Sequence, residues 1–324
     1  MKTRNNSIDI VRAIGIILMI LGHCALLPYL PYKHVIYSFH MPLFFIISGY
    51  LYKCKDIKIS LRKDAFRLML PYVYTCLAII CICLLFSLFD NAYLSKALHY
   101  LKASFLGSGS KHHCMYLAKV PNIGAIWFLP ALYICKNVYN SMQSLDLRKR
   151  FLASCLIFIV AALLGRYVIY IPFSVLSALT AIIFFAIGDV LKHVNGIKPI
   201  YWVIGIGCWA ISLIYSRVTL VRPIIDYYFI DVIGATTATL LIYMLSVKLD
   251  KLGFFSKILT WIGQNSLYIL CFHVLDENVL KISRMMKPAG CLLTMLTMIT
   301  IPILATYLFM CIKKRMSGFL TQQS

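Results

Sequence analysis

Cys76-Leu-Ala-Ile-Ile-Cys-Ile-Cys-Leu-Leu-Phe86 is an apolar run without a single charged side chain. It lacks the period-two alternation of a membrane barrel strand. In lipid every backbone amide must be bonded within a helix or a closed barrel, so the run reads as helix. It belongs to a longer apolar block, and blocks of about 17–25 residues recur along the chain, the length that crosses a hydrocarbon core of about 30 Å. The 324 residues are 61% hydrophobic and 13% charged. A soluble domain carries about 25% charged residues, so too few are available here for a water-facing surface. The expected class is an all-α integral membrane protein.

Ten transmembrane helices are expected, at about 8–28, 36–52, 66–89, 125–143, 151–165, 173–191, 199–216, 225–247, 258–280 and 291–312. The second contains Pro42 and Gly49 and is expected to bend or re-enter. Residues from about 90 to 124 read as a long outer loop, the only sizeable extramembrane piece and a place where function gathers. His112-His113 falls in it, but tandem histidines without a third ligand nearby do not make a metal site, and none is expected. No repeat or separate soluble domain is visible, so 1–324 is read as one polytopic domain. The first apolar block contains Arg12, which argues against a cleavable leader.

The net charge of +21 does not point to nucleic acid, because no basic face separates from the loops. Lys and Arg concentrate on alternate loops instead, among them Lys53, Lys55, Lys58, Arg62 and Lys63, then Arg148, Lys149 and Arg150. This bias orients both termini to the cytoplasm of a cell-membrane protein. Most of the 12 cysteines lie inside apolar blocks, and no C-x-x-C pair is present, so they read as small buried thiols.

Ionisable groups inside a span are costly and mark a pathway or a site. The first helix carries Asp9, Arg12 and His23. Arg12 and His23 are eleven residues apart, rotated by only about 20° and separated by about 16 Å along the axis. One stripe thus offers a cation near the inner leaflet and an imidazole toward the outer one. A simpler reading has Arg12 snorkelling to the inner interface. His40 and His273 fall at a depth similar to His23. A lone membrane histidine is usually a packing residue, but three at one level suit proton transfer near neutral pH. At the start of the third helix Arg62, Lys63 and Arg67 are either ordinary inside charges or a dock for a phosphorylated donor. Asp189, Asp226 and Asp231 are available to pair with these cations or with the histidines.

These residues sit in a set of phrases. Ile8-Asp-Ile-Val-Arg12 is followed after ten residues by His23. Tyr37-Ser-Phe-His-Met-Pro-Leu-Phe-Phe45 runs on to Ser48-Gly49. Arg67-Leu-Met-Leu-Pro-Tyr72, Gly124-Ala-Ile-Trp-Phe-Leu-Pro-Ala131 and Ile262-Gly-Gln-Asn-Ser-Leu-Tyr-Ile-Leu-Cys-Phe-His273 follow in order. Together they resemble the membrane acyltransferase-3 family, most closely its fucose 4-O-acetylase-like branch.

The resemblance implies a bundle of about ten helices that takes an acyl group from cytoplasmic acetyl-CoA. The acceptor it implies is a sugar of an envelope polysaccharide or its lipid-linked precursor. It makes Arg12 and His23 essential, with His23 as base or transient acyl carrier. His40, Arg67, Trp127, Asn265, Ser266 and His273 carry over as motif residues. On this reading His23, Arg12, His40 and His273 form the catalytic set, and Arg67, Arg62, Lys63, Trp127 and Asn265 the acetyl-CoA-binding set. The basic spacing Arg62-Lys63…Arg67 departs from the paired or Arg-x-x-Arg pattern of many relatives and leaves open which cation meets the phosphates. Many relatives append a soluble hydrolase-like domain; none is expected here. The rival class is a secondary transporter or lipid-linked sugar flippase, which ten helices with buried charges also suit. The sequence does not speak to oligomeric state.

Overall fold

The computed structural model describes residues 4–24, 31–109, 120–166, 171–216, 219–221, 227–285 and 290–321. Fourteen helices follow one another in these stretches: α1 (Asn6–Gly22), α2 (Pro31–Tyr50), α3 (Ile57–Asp64), α4 (Leu70–Phe86), α5 (Ala92–Leu106), α6 (Phe128–Ser141), α7 (Leu147–Arg166), α8 (Val175–Leu191), α9 (Pro199–Tyr215), α10 (Tyr228–Leu249), α11 (Phe254–Gln264), α12 (Ser266–Leu275), α13 (Ile282–Met285) and α14 (Cys291–Thr321). Among the described residues β structure is limited to isolated bridge residues, such as the pair Ser108 with Asn122. Four stretches, Ile57–Ser87, Pro172–Leu191, Tyr228–Leu249 and Cys291–Met316, are long and apolar enough to cross a bilayer. The pair Phe254–Gln264 and Ser266–Leu280, bent by 66°, makes a fifth if it is one span. This is the make-up of an all-helical membrane protein.

The chain gathers into two compact units, Met1–Tyr29 with Ser246–Ser324, and Leu30–Leu245. In the first, α1 packs along α11 and also meets α12 and α14. The crossing is close because Gly263 has no side chain. A Cβ there would stand 1.7 Å from the backbone oxygen of Asp9. The segment expected as one helix at 258–280 therefore breaks after Gln264, with Asn265 as the joint. Asn265 Nδ2 donates to Trp261 O at 2.8 Å and closes the end of α11. The first helix also ends earlier than expected, at Gly22, with His23 as its cap.

In the second unit α8 is the central element. It packs against α2, α6 and α7, and most of its side chains are buried. Gly49 of α2 and Gly188 of α8 allow the tightest of these crossings. A Cβ on Gly49 would lie 1.9 Å from Phe185 O, and one on Gly188 would lie 2.0 Å from Ile46 O. α2 is one helix with Pro42 inside it.

Between α3 and α4, Ala65–Met69 forms a wide π-type turn. Pro71 has no N–H and its ring presses on the carbonyl four residues back, that of Arg67, so the regular ladder is interrupted there.

The expected outer loop at 90–124 needs correcting. Its first part is α5, which runs antiparallel beside α4. Phe86 meets Tyr93 near one end, and Tyr72 Oη donates to Ser104 O at 2.6 Å near the other. Leu94, Leu98, Leu101 and Phe105 line one exposed face of α5, the spacing of a helical stripe. Ser95, Lys96, His99 and Lys102 are interleaved with them and gave the segment a loop-like composition. His112 and His113 lie outside the described residues.

Candidate active site

The first turn of α1 places Asp9 where a helix N-terminus favours negative charge. Asp9 is 2% exposed, and its oxygens meet a dense set of donors. Arg4 donates as a fork, Nε to Oδ2 at 2.5 Å and a terminal nitrogen to Oδ1 at 3.0 Å. Arg12 donates to Oδ1 at 3.1 Å, and Gln264 reaches Oδ2 at 3.4 Å. The hydrogen bond to Asp9 holds the Arg4 guanidinium above its usual range. A buried carboxylate thus fixes the rotamer of Arg12, whose side chain stays 21% exposed. Two guanidiniums share this one carboxylate. Arg4 and Gln264 were missed by sequence reasoning, although Arg4 stands only five residues from Asp9.

His23 caps the other end of α1. Its Nδ1 lies 2.8 Å from Met19 O. A carbonyl only accepts, so Nδ1 carries the hydrogen. In the neutral ring Nε2 then keeps a bare lone pair. His273, on α12, brings its ring centroid to 5.5 Å from that of His23 at 65°, an edge-on contact. His273 is buried, and its Nε2 stands 3.6 Å from Glu277 Oε2, one turn further on. Within this unit two of the three expected histidines meet, with a carboxylate behind them. Glu277 was not foreseen, though the i,i+4 spacing from His273 is a legible signal.

His40, Trp127, Arg62, Lys63 and Arg67 belong to the other unit. His40 is 4% exposed, its Nδ1 lies 2.9 Å from Ile36 O, and Tyr37 leans on it at 5.3 Å. It therefore has the same tautomer as His23. Trp127 is buried on the short turn before α6, against Gly109, where a Cβ would stand 2.0 Å from the indole. Arg62, Lys63 and Arg67 are exposed, and among the described residues none of them has an ion-pair partner. Asp64, between them, is buried and held by Lys136 at 2.5 Å and Ser60 at 3.1 Å. Ser266 begins α12 beside Asn265.

The aspartates find other partners than the expected ones. Asp189 pairs with Lys192 at 3.0 Å and lies 3.7 Å from Arg150. Asp231, fully buried, accepts the hydroxyls of Ser212 and Ser216, both at 2.6 Å, and the amide of Tyr227 at 3.0 Å. Local hydroxyls at the junction of α9 and α10 take the place of a distant cation. Asp226 lies outside the described residues. Among the described residues no group of three His, Cys, Asp or Glu gathers as a metal site would require.

Comparison with known proteins adds to this geometry. The nodulation protein NolL of Mesorhizobium japonicum is 38% identical to a segment making up 23% of this chain and 24% of that protein. NolL of Sinorhizobium fredii is 35% identical over the same shares. The chain thus spans about a quarter of the length of these curated relatives. No solved structure matches it. The family profile described as "Acyltransferase domain" matches residues 5–312, nearly the whole chain, and so takes in Asp9, Arg12, His23 and His273 alike. The chain therefore belongs to the acyltransferase-3 family.

Proposed function

We propose that this protein is a membrane O-acetyltransferase that moves an acetyl group from cytoplasmic acetyl-CoA to a hydroxyl of a cell-envelope polysaccharide sugar or its lipid-linked precursor. The observation that carries the reading is the His23–His273–Glu277 arrangement, in which Nδ1 of His23 is bonded to Met19 O and Nε2 is left as the basic nitrogen. Acetyl-CoA supplies the acyl group as a thioester. His23 Nε2 removes the proton of the acceptor hydroxyl as its oxygen attacks the thioester carbonyl. The same imidazolium then returns the proton to the departing sulfur. His273, with Glu277 behind it, orients His23 and stabilises its charged form. Arg12, fixed by Asp9, holds the donor about 16 Å further along the same stripe. The motif phrases further assign Arg62, Lys63 and Arg67 to the donor's phosphates, His40 as a second base, and Trp127 and Asn265 to donor binding.

The same reading assigns ten membrane crossings, both termini in the cytoplasm of a cell-membrane protein, and one acyltransferase domain over the whole chain. Helical structure at each of the ten expected segments and the family match over 5–312 support it. The O-acetylase-like branch rests on the motif phrases quoted above.

The test uses the full-length protein in proteoliposomes, with acetyl-CoA and isolated envelope glycans. Release of free CoA together with a glycan mass increase of about 42 Da, abolished in His23→Ala and Arg12→Ala proteins that still insert, is the expected result. Normal transfer in either variant, or no consumption of acetyl-CoA, would overturn the assignment.

A further inference from the structure

One buried cation plays no part in the chemistry above. Arg150 stands in the first turn of α7, and its side chain is only 15% exposed. Its closest carboxylate oxygen, Asp189 Oδ2, is 3.7 Å away, beyond hydrogen-bond reach. Its Nε is buried without a hydrogen-bond partner. Asp189 is already satisfied: Tyr139 Oη donates to Oδ2 at 2.9 Å and Lys192 Nζ to Oδ1 at 3.0 Å. Lys192 also donates to the backbone oxygen of Tyr52 at 2.5 Å.

Arg150 is held by aromatic faces instead. The Tyr139 and Tyr52 ring centroids lie 5.5 Å and 5.8 Å from its guanidinium carbon. Both phenols are pinned, Tyr139 to Asp189 and Tyr52 to Asn140 at 2.8 Å. The result is a rigid seat for a planar cation whose buried Nε has no hydrogen-bond acceptor among the described residues.

Leaving that one donor unmet in a buried place is costly, and an oxygen-rich anion reaching the guanidinium relieves it. The charge balance selects the anion. Arg150 and Lys192 share one carboxylate, so the cluster is positive. One turn earlier on α6, Lys136 holds Asp64, beside exposed Arg62 and Lys63. A phosphoryl group carries more charge than a carboxylate and offers paired oxygens to a guanidinium fork. We propose that Arg150, seated between Tyr52 and Tyr139 and assisted by Lys192, binds a phosphoryl group. That the phosphoryl belongs to the nucleotide end of acyl-CoA, and not to a lipid headgroup, rests on the acetyltransferase reading.

The full-length protein in detergent is titrated with inorganic pyrophosphate and with coenzyme A, by calorimetry and thermal unfolding. In parallel it is placed in nanodiscs of phosphatidylcholine with or without phosphatidylglycerol. The wild type is expected to bind pyrophosphate, R150Q at least tenfold more weakly, and R150K in between, because an ammonium keeps the charge and loses the fork. Competition between coenzyme A and pyrophosphate assigns the nucleotide source. A phosphatidylglycerol-dependent rise in unfolding temperature that is lost in R150Q assigns the lipid source. Wild-type affinity in R150Q, or in R150K should R150Q fail to fold, overturns the site, as does a wild type that responds to neither phosphate source. Arg150-dependent binding without acetyl transfer sinks the function proposed above and leaves this site standing; transfer with wild-type binding in R150Q does the reverse.

Discussion

His23 Nδ1 and the carbonyl oxygen of Met19, four residues earlier on α1, lie 2.8 Å apart, which settles which ring nitrogen carries the hydrogen. The rate of acetyl transfer in proteoliposomes should fall by about 10²–10⁴ in His23→Ala, the usual contribution of a positioned base. Membrane insertion should be unchanged. Wild-type transfer in a His23→Ala protein that still inserts would exclude His23 as the base.

Asp9→Asn keeps the shape of the side chain and turns a donor toward Arg4 and Arg12. Loss of the charge-assisted bonds to a buried carboxylate should destabilise the protein by about 1–3 kcal/mol, read as a lower unfolding temperature in detergent. Transfer should fall at least tenfold, since Arg12 loses the carboxylate that positions it. Wild-type transfer in Asp9→Asn would show that this contact does not serve the donor.

A methyl group at Gly263 would stand 1.7 Å from Asp9 O, a backbone atom that cannot swing aside. Gly263→Ala must push α1 and α11 apart. Overpacking of this kind costs about 1–3 kcal/mol. Transfer should fall as well, because the Asp9–Gln264 and His23–His273 contacts both depend on how α1 meets α11 and α12. Wild-type unfolding temperature and activity together would rule out so close an approach.

Tyr52, just beyond α2, has its phenol pushed up to about 12, chiefly by burial and then by the neighbouring Cys54. The folded value lies above the ordinary one of 10.0. Its contribution to stability is therefore complete below about pH 10 and is lost as pH rises through about 12. Tyr52→Phe should flatten that alkaline loss. At neutral pH it should cost about 1 kcal/mol, because the buried Asn140 Oδ1 loses the nearer of its two donors, the phenol at 2.8 Å, and keeps the Lys55 amide at 3.3 Å. Alkaline unfolding curves that superimpose for the two proteins would refute the assignment.

The helices were legible because apolar blocks in lipid leave the backbone no other choice. The segments expected at about 173–191 and 199–216 emerge as Pro172–Leu191 and Pro199–Tyr215. What escaped was set by contacts across the chain. The break at Asn265 follows no proline; it comes where Gly263 rests on the backbone of Asp9. α5 escaped because its polar residues mask the stripe of Leu94, Leu98, Leu101 and Phe105. In the site, Arg12, His23 and His273 stood out as ionisable groups in apolar surroundings. The seating of Arg150 did not, because Tyr52, Tyr139 and Asp189 are scattered along the chain and meet only in the folded bundle.

The unit that joins Met1–Tyr29 to Ser246–Ser324 imposes an order on biogenesis. The ribosome delivers α1, with Asp9 and its arginines, first of the two parts, yet Gly263 and Gln264 emerge only after all of Leu30–Leu245. At about 5–20 residues per second the nascent first helix waits some tens of seconds for them. During that interval Arg4 and Arg12 are the neutralising company Asp9 has within its own stretch of chain. A nascent chain arrested before Ser246 should hold the first helix loosely and expose it to membrane proteases, while one arrested beyond α12 should protect it.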